Sequence, residues 1–261
     1  MHQPHARKDS PGRSLHRADV IYNRNPVIEK MVFICGLHRS GTSLLEQYLY
    51  AHYDVSVLRA NVPENEGQHL QLVYPQANLF GGAPRFAFAS QMRPDPPDEA
   101  SATTYRRQIL AQWKPFVVGT ARTLLEKSPP NLTKMPWLRR VFPGAQFIVL
   151  VRDPRAVAAA NQKRHRALPL EMVMMHWSVA HSIALRDLAD DCRILKYEDF
   201  CADPPGALTA AGIDTILTQR VSAGDIDERF RNIVNKNDAY IARHTCSFYG
   251  EGAWRHFGYD I

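Results

Sequence analysis

Eight consecutive residues, Gly36-Leu37-His38-Arg39-Ser40-Gly41-Thr42-Ser43, hold the densest chemistry in the chain. The two glycines let a backbone approach a ligand closely. Amide N–H groups in a loop entering a helix favour an anion, and the hydroxyls of Thr42 and Ser43 add donors. The glycine spacing is that of the nucleotide-kinase loop, G-x-x-x-x-G-K-[ST]. Thr42 stands where the lysine belongs. That lysine reaches the terminal phosphates, so its absence argues against an ordinary ATPase or kinase. The cation stands three places earlier, at Arg39. A tight strand-to-helix turn with no ligand is the plain alternative.

The elements around the loop follow from apolar spacing. Residues 31 to 35 form a short apolar run ending at Gly36, which suits a buried parallel strand. After the loop, Leu44, Leu45, Tyr48 and Leu49 recur at helical spacing through His52. Further strands are expected over 54 to 58, 123 to 127, 146 to 151 and 193 to 197. Helices are expected over 102 to 114, 132 to 141, 154 to 166 and 170 to 189. Residues 59 to 100 are rich in Pro, Gly, Asn and Gln and read as a long functional insertion. Strands alternating with helices predict an α/β fold, a P-loop-like three-layer sandwich with a mainly parallel central sheet. Ligands of such sheets bind at the carboxyl ends of the strands, where the polar motifs of this chain begin.

Bulk properties set limits. The 261 residues can bury a substantial core, and a formal charge of +6 fits a polyanionic small molecule as well as nucleic acid. No nucleic-acid recognition motif occurs, so no nucleic-acid partner is expected. The four cysteines, Cys35, Cys192, Cys201 and Cys246, include no C-x-x-C pair. They read as free thiols, with no metal site. No apolar leader opens the chain, and 147 to 151 is far too short to span a bilayer. A cytoplasmic protein is expected. Residues 1 to 18 read as a disordered basic tail and 19 to 261 as one domain.

At Arg39-Ser40-Gly41-Thr42-Ser43 the sequence resembles the sulfotransferases, whose loop carries Lys or Arg before Ser-Gly-Thr-Thr or Ser-Gly-Thr-Ser. Glu126-Lys127-Ser128-Pro129, residues 147 to 157 and Tyr197-Glu198-Asp199-Phe200 are similar, in the same order, to the bacterial and tyrosylprotein branch. The resemblance spans roughly residues 31 to 205. It implies 3′-phosphoadenosine 5′-phosphosulfate as co-substrate. Gly36, His38, Arg39, Ser40, Gly41, Thr42 and Ser43 would hold its 5′-phosphosulfate, Arg152 its 3′-phosphate, and Tyr197 would lie near the adenine. For Arg152 the alternative is a salt bridge with Asp153, and for Tyr197 a core aromatic. Lys236, in Asn235-Lys236-Asn237, is the candidate for a basic closing loop, against an exposed helix. One departure stands out: Ala160 occupies the place of a family serine that also contacts the 3′-phosphate, with Asn161, or Ser and Lys groups elsewhere, as the candidates to compensate.

Sulfuryl transfer, like phosphoryl transfer, moves a group in line between two oxygens, so positioning and charge stabilisation dominate. Arg39 and Lys127 are the candidates to meet charge on the leaving oxygen. The acceptor hydroxyl needs a base. The resemblance places a glutamate about twenty residues after the loop cation, but Arg59 and Ala60 stand there. Glu66 is favoured among later carboxylates, with Glu64 and His69 behind it. The acceptor, a small molecule, carbohydrate or peptide, is not named by these residues. The rival readings are a kinase-like enzyme binding ATP with Mg²⁺ and a non-catalytic nucleotide-binding module. A homodimer is compatible with all three.

Overall fold

The computed structural model describes residues 26–220, 227–242 and 249–261. The tail expected over 1 to 18 and Cys246 lie outside them. Six strands form one sheet: β1 (Lys30–Cys35), β2 (Ser56–Leu58), β3 (Val117–Val118), β4 (Thr123–Lys127), β5 (Gln146–Val151) and β6 (Cys192–Lys196). Their order is β3-β2-β4-β1-β5-β6, and every pairing is parallel except the short edge pair β2–β3.

Period-two alternation on buried strands produces two cores. Phe33, Phe147 and Val149 pack on one face with Trp113, Leu138 and Trp177. Val32, Ile34, Ile148 and Leu150 pack on the other with Leu45, Leu49 and Phe200. Helices α2 (Glu99–Trp113), α3 (Met135–Val141), α4 (Pro154–Gln162) and α5 (Leu170–Asp187) cover the first face. Helices α1 (Thr42–His52), α6 (Tyr197–Ala202) and α7 (Pro204–Ala210) cover the second. The short helix α8 (Asn237–Ile241) packs against α4. Register aligns the strand ends, with Ile34 opposite Lys127 and Cys35 opposite Val149, so the segments after β1, β4 and β5 meet at one edge.

Several elements differ from the sequence expectation. Residues 59 to 100 are not featureless: short 3-10 turns occupy Pro63–Asn65, Gly67–His69, Ala77–Phe80, Phe86–Phe88 and Ser90–Met92. Helix α2 begins earlier than 102 because the Asp98 side chain caps it, accepting from Ser101 N at 2.8 Å. The helix expected over 132 to 141 is split into a 3-10 turn, Pro129–Thr133, and α3, with Pro136 in its first turn. The last strand stops at Lys196, and Tyr197 opens α6. Helix α4 ends at Gln162, short of 166. Cys35, Cys192 and Cys201 are free thiols. Among the described residues no helix is long and apolar enough to cross a membrane.

Candidate active site at the strand ends

Sterics fix the loop between β1 and α1. A Cβ on Gly36 would lie 2.8 Å from Leu150 O, so only glycine lets β1 run this close to β5. Gly41 has φ 98°, and a Cβ there would lie 2.6 Å from the Tyr197 ring. Arg39 also takes a left-handed φ of 73°. Gly41 precedes α1 without a side-chain cap, so the first amides of that helix have no side-chain acceptor from its cap. Ser40 Oγ is buried and has no partner among the described residues.

Arg152, at the end of β5, is 6% exposed and held on several sides. Its Nε donates to Asn237 Oδ1 at 2.8 Å and its Nη1 to Arg39 O at 2.8 Å. Tyr197 lies beneath the guanidinium, 4.2 Å from ring centroid to Cζ. The remaining nitrogen, Nη2, is buried without a partner among the described residues. Asn237 Nδ2 in turn donates to Glu198 Oε1, which also accepts from Asp153 N, while Tyr259 OH donates to Glu198 Oε2 at 2.7 Å. Asp153 pairs with Arg155 rather than with Arg152, their closest N···O distance being 2.7 Å.

The third wall comes from the segment after β2, backed by Lys127 at the end of β4, which is not itself among the lining residues. Lys127 Nζ, almost fully buried, donates to Glu64 O at 2.7 Å and lies 3.7 Å from Glu66 Oε1. Burial pushes the Glu66 carboxyl above the ordinary glutamate range, with Lys127 opposing it in part. Gln68 Nε2 donates to Glu66 Oε2, and His69 Nε2 lies 3.7 Å from the same oxygen. The segment is pinned from below. Gly67 N donates to the buried Glu126 Oε1 at 3.0 Å, Gln68 N to Ser128 Oγ at 3.1 Å, and Trp113 Nε1 to Gly67 O at 2.9 Å. Glu64 and Asn65 both adopt left-handed φ, 52° and 54°, which turns the chain sharply before Glu66.

These walls enclose a cavity of about 310 Å³. His38, Arg39, Gly41, Thr42, Ser43, Glu64, Glu66 and Arg152 all line it, so most of the residues singled out in the sequence converge. The His38 imidazole is neutral near pH 7, because burial first and Lys127 second pull its pKa down to about 3. Ser43 Oγ donates to Glu64 Oε2 at 3.0 Å. Gly36 and Ser40 lie in the loop beneath the lining. Tyr197 is a platform under Gly41 and Arg152 and does not line the cavity. Lys236 is exposed, and its neighbour Asn237 is the residue that reaches Arg152. Tyr240, Arg164 and Glu126 went unassigned in the sequence, and Asn237 was singled out only as part of Asn235-Lys236-Asn237. Asn237 and Arg152 are 85 residues apart, with no local spacing to connect them.

A mainly parallel sheet, a glycine loop feeding a helix and a cation-bearing cavity at the strand ends define a P-loop-like α/β protein. Residues 31–211 match a family model described as the sulfotransferase family. A protein-tyrosine sulfotransferase 2 from Gallus gallus is 31% identical over 134 residues, covering 48% of this chain and 32% of that protein. The chain thus matches about a third of that relative's length. The solved sulfotransferase domain of the Synechococcus PCC 7002 olefin synthase superposes with a TM-score of 0.52 at 19% identity. That match covers 92% of this chain and 98% of that one, and it concerns the fold. The chain belongs to the sulfotransferase family.

Proposed function

We propose that the chain transfers a sulfuryl group from 3′-phosphoadenosine 5′-phosphosulfate to a hydroxyl or amine of a small molecule, carbohydrate or peptide. One observation carries the choice of donor. Arg152 is held by two hydrogen bonds and an aromatic ring, yet its buried Nη2 is left without a partner at the cavity wall. A buried guanidinium nitrogen left unpaired is costly, and a phosphate oxygen suits it. Ser40 Oγ and the first amides of α1 offer further donors for the 5′ end of the same molecule. The residues present therefore fit a nucleotide carrying anions at two positions.

The donor supplies an activated sulfuryl group that moves in line to the acceptor oxygen. The residues of the chain do the rest. The loop from Arg39 to Ser43 positions the 5′ end, and Arg152 fixes the 3′-phosphate. Lys127 and Arg39 offset charge on the leaving oxygen. Glu66, held by Gln68 and Lys127, takes the acceptor proton. Glu64 is exposed and its backbone carbonyl is the acceptor for Lys127, so it orients that lysine.

Calorimetric titration with 3′-phosphoadenosine 5′-phosphate and with ATP tests the donor. The first should bind more tightly, and R152A should weaken it about 10–100-fold, the worth of a charge-assisted contact. A preference for ATP would overturn the reading.

A further inference from the structure

Glu198 does not line the cavity, yet donors from three separate segments converge on its carboxylate. Asp153 N, just after β5, and Asn237 Nδ2, on α8, donate to Oε1, and Tyr259 OH donates to Oε2. Asn237 and Tyr259 are both buried.

The chemistry of its two neighbours fixes the Asn237 amide. A guanidinium can only donate and a carboxylate can only accept. Asn237 therefore turns its oxygen to Arg152 Nε, at 2.8 Å, and its nitrogen to Glu198. The opposite orientation would set donor against donor at one end and oxygen against oxygen at the other, leaving buried polar atoms unpaired. Arg152 is thereby held in one rotation. Its Nε is taken by Asn237 and its Nη1 by Arg39 O, at 2.8 Å, where the loop backbone is left-handed. Only the buried Nη2 is left for a ligand.

We infer that Glu198 is a positioning residue for donor binding: it fixes the Asn237 amide, and that amide orients Arg152. Tyr259 steadies the same carboxylate from the far end of the chain. The inference rests on the donor reading above. Two successive residues of α6 then act on Arg152, Tyr197 through its ring face and Glu198 through Asn237.

The test compares 3′-phosphoadenosine 5′-phosphate with adenosine 5′-phosphate, which lacks the 3′ group. Dissociation constants are measured by calorimetry for the wild type, E198Q, R152A and the double variant. E198Q keeps the side-chain volume but brings N–H donors to a place where every neighbour donates. It should weaken the bisphosphate about 5–10-fold and change the monophosphate less than about twofold. Added to R152A, it should change the bisphosphate less than about twofold, because the residue it acts through is gone. Should E198Q fail to fold, E198D takes its place with the same expected pattern, since it keeps the charge and shortens the reach by one methylene. Equal weakening of the two nucleotides would make Glu198 a general support of the fold. Additive losses in the double variant would detach it from Arg152, and no weakening would leave it without a part in binding. Each of these results overturns the inference, and the donor reading survives them if the wild type prefers the bisphosphate and R152A abolishes that preference. A wild type that binds the two nucleotides equally would overturn the donor reading and this inference together.

Discussion

Glu66 and Lys127 face each other at 3.7 Å, at 3% and 2% exposure, and neither charge is surrounded by water. Burying such a pair costs desolvation energy. The base proposed above is active only when ionised, and burial raises the Glu66 pKa. The acid limb of kcat should therefore lie above the ordinary glutamate range, with the rate rising as pH passes upward through it. E66Q should lower kcat by roughly 10²-fold or more, while the affinity for 3′-phosphoadenosine 5′-phosphate stays within about threefold. Transfer from labelled donor to a panel of hydroxyl and amine acceptors reads the first quantity, and calorimetry the second. Unchanged turnover in E66Q would move the base to Glu64 or His69. The sequence showed Glu66 as a carboxylate before a glycine, and the structure gives that glycine a reason. A Cβ at Gly67 would lie 2.7 Å from Glu126 Oε1, so the amide can reach its anchor only without a side chain. Glu126 itself was invisible as an anchor, because a carboxylate in an apolar strand declares its partners only once the strand is placed.

At the scale of elements, β4 and β5 were readable to the residue because both are short apolar runs closed by residues that end a ladder. Ser128-Pro129 closes one and Arg152-Asp153-Pro154 the other. The boundary of β6 was not readable, since Tyr197 continues the apolar pattern of the strand while its backbone has already entered α6. The 3-10 turns between 63 and 92 were equally hidden. Their bonds run between near neighbours and leave no periodic apolar face. What the loop before α1 requires is plain from its packing. Gly41 combines a φ of 98° with a ring 2.6 Å from its missing Cβ. G41A should therefore destabilise the protein by about 2–4 kcal/mol, read from urea unfolding midpoints. Its nucleotide affinity should fall as well, because Tyr197 cannot yield without disturbing Arg152 above it. A stability loss below about 0.5 kcal/mol would show that the loop relaxes freely.

Across the whole molecule, the proposed ligand would touch parts that are far apart in the chain. The loop after β1, the segment carrying Glu66, Arg152 after β5 and Tyr240 on α8 meet around one cavity. Ligand binding to the native state alone should then stabilise the whole unit rather than one lobe. At a hundredfold excess over Kd the gain is about 2.7 kcal/mol, which for a domain of this size corresponds to on the order of 5–10 °C in Tm. We propose that residues 19 to 261 form the single unit that responds. A chain lacking residues 1 to 18 should then show the same Tm as the full chain and the same shift with 3′-phosphoadenosine 5′-phosphate. Differential scanning calorimetry at fixed salt decides it, because the +6 charge makes nucleotide affinity depend on ionic strength. A smaller shift in the shortened chain, with its Tm unchanged, would place the basic N-terminal residues among the groups that hold the nucleotide. A lower Tm without ligand would make them part of the folded unit. Equal values in both measurements would leave residues 1 to 18 outside both the folded unit and the binding site.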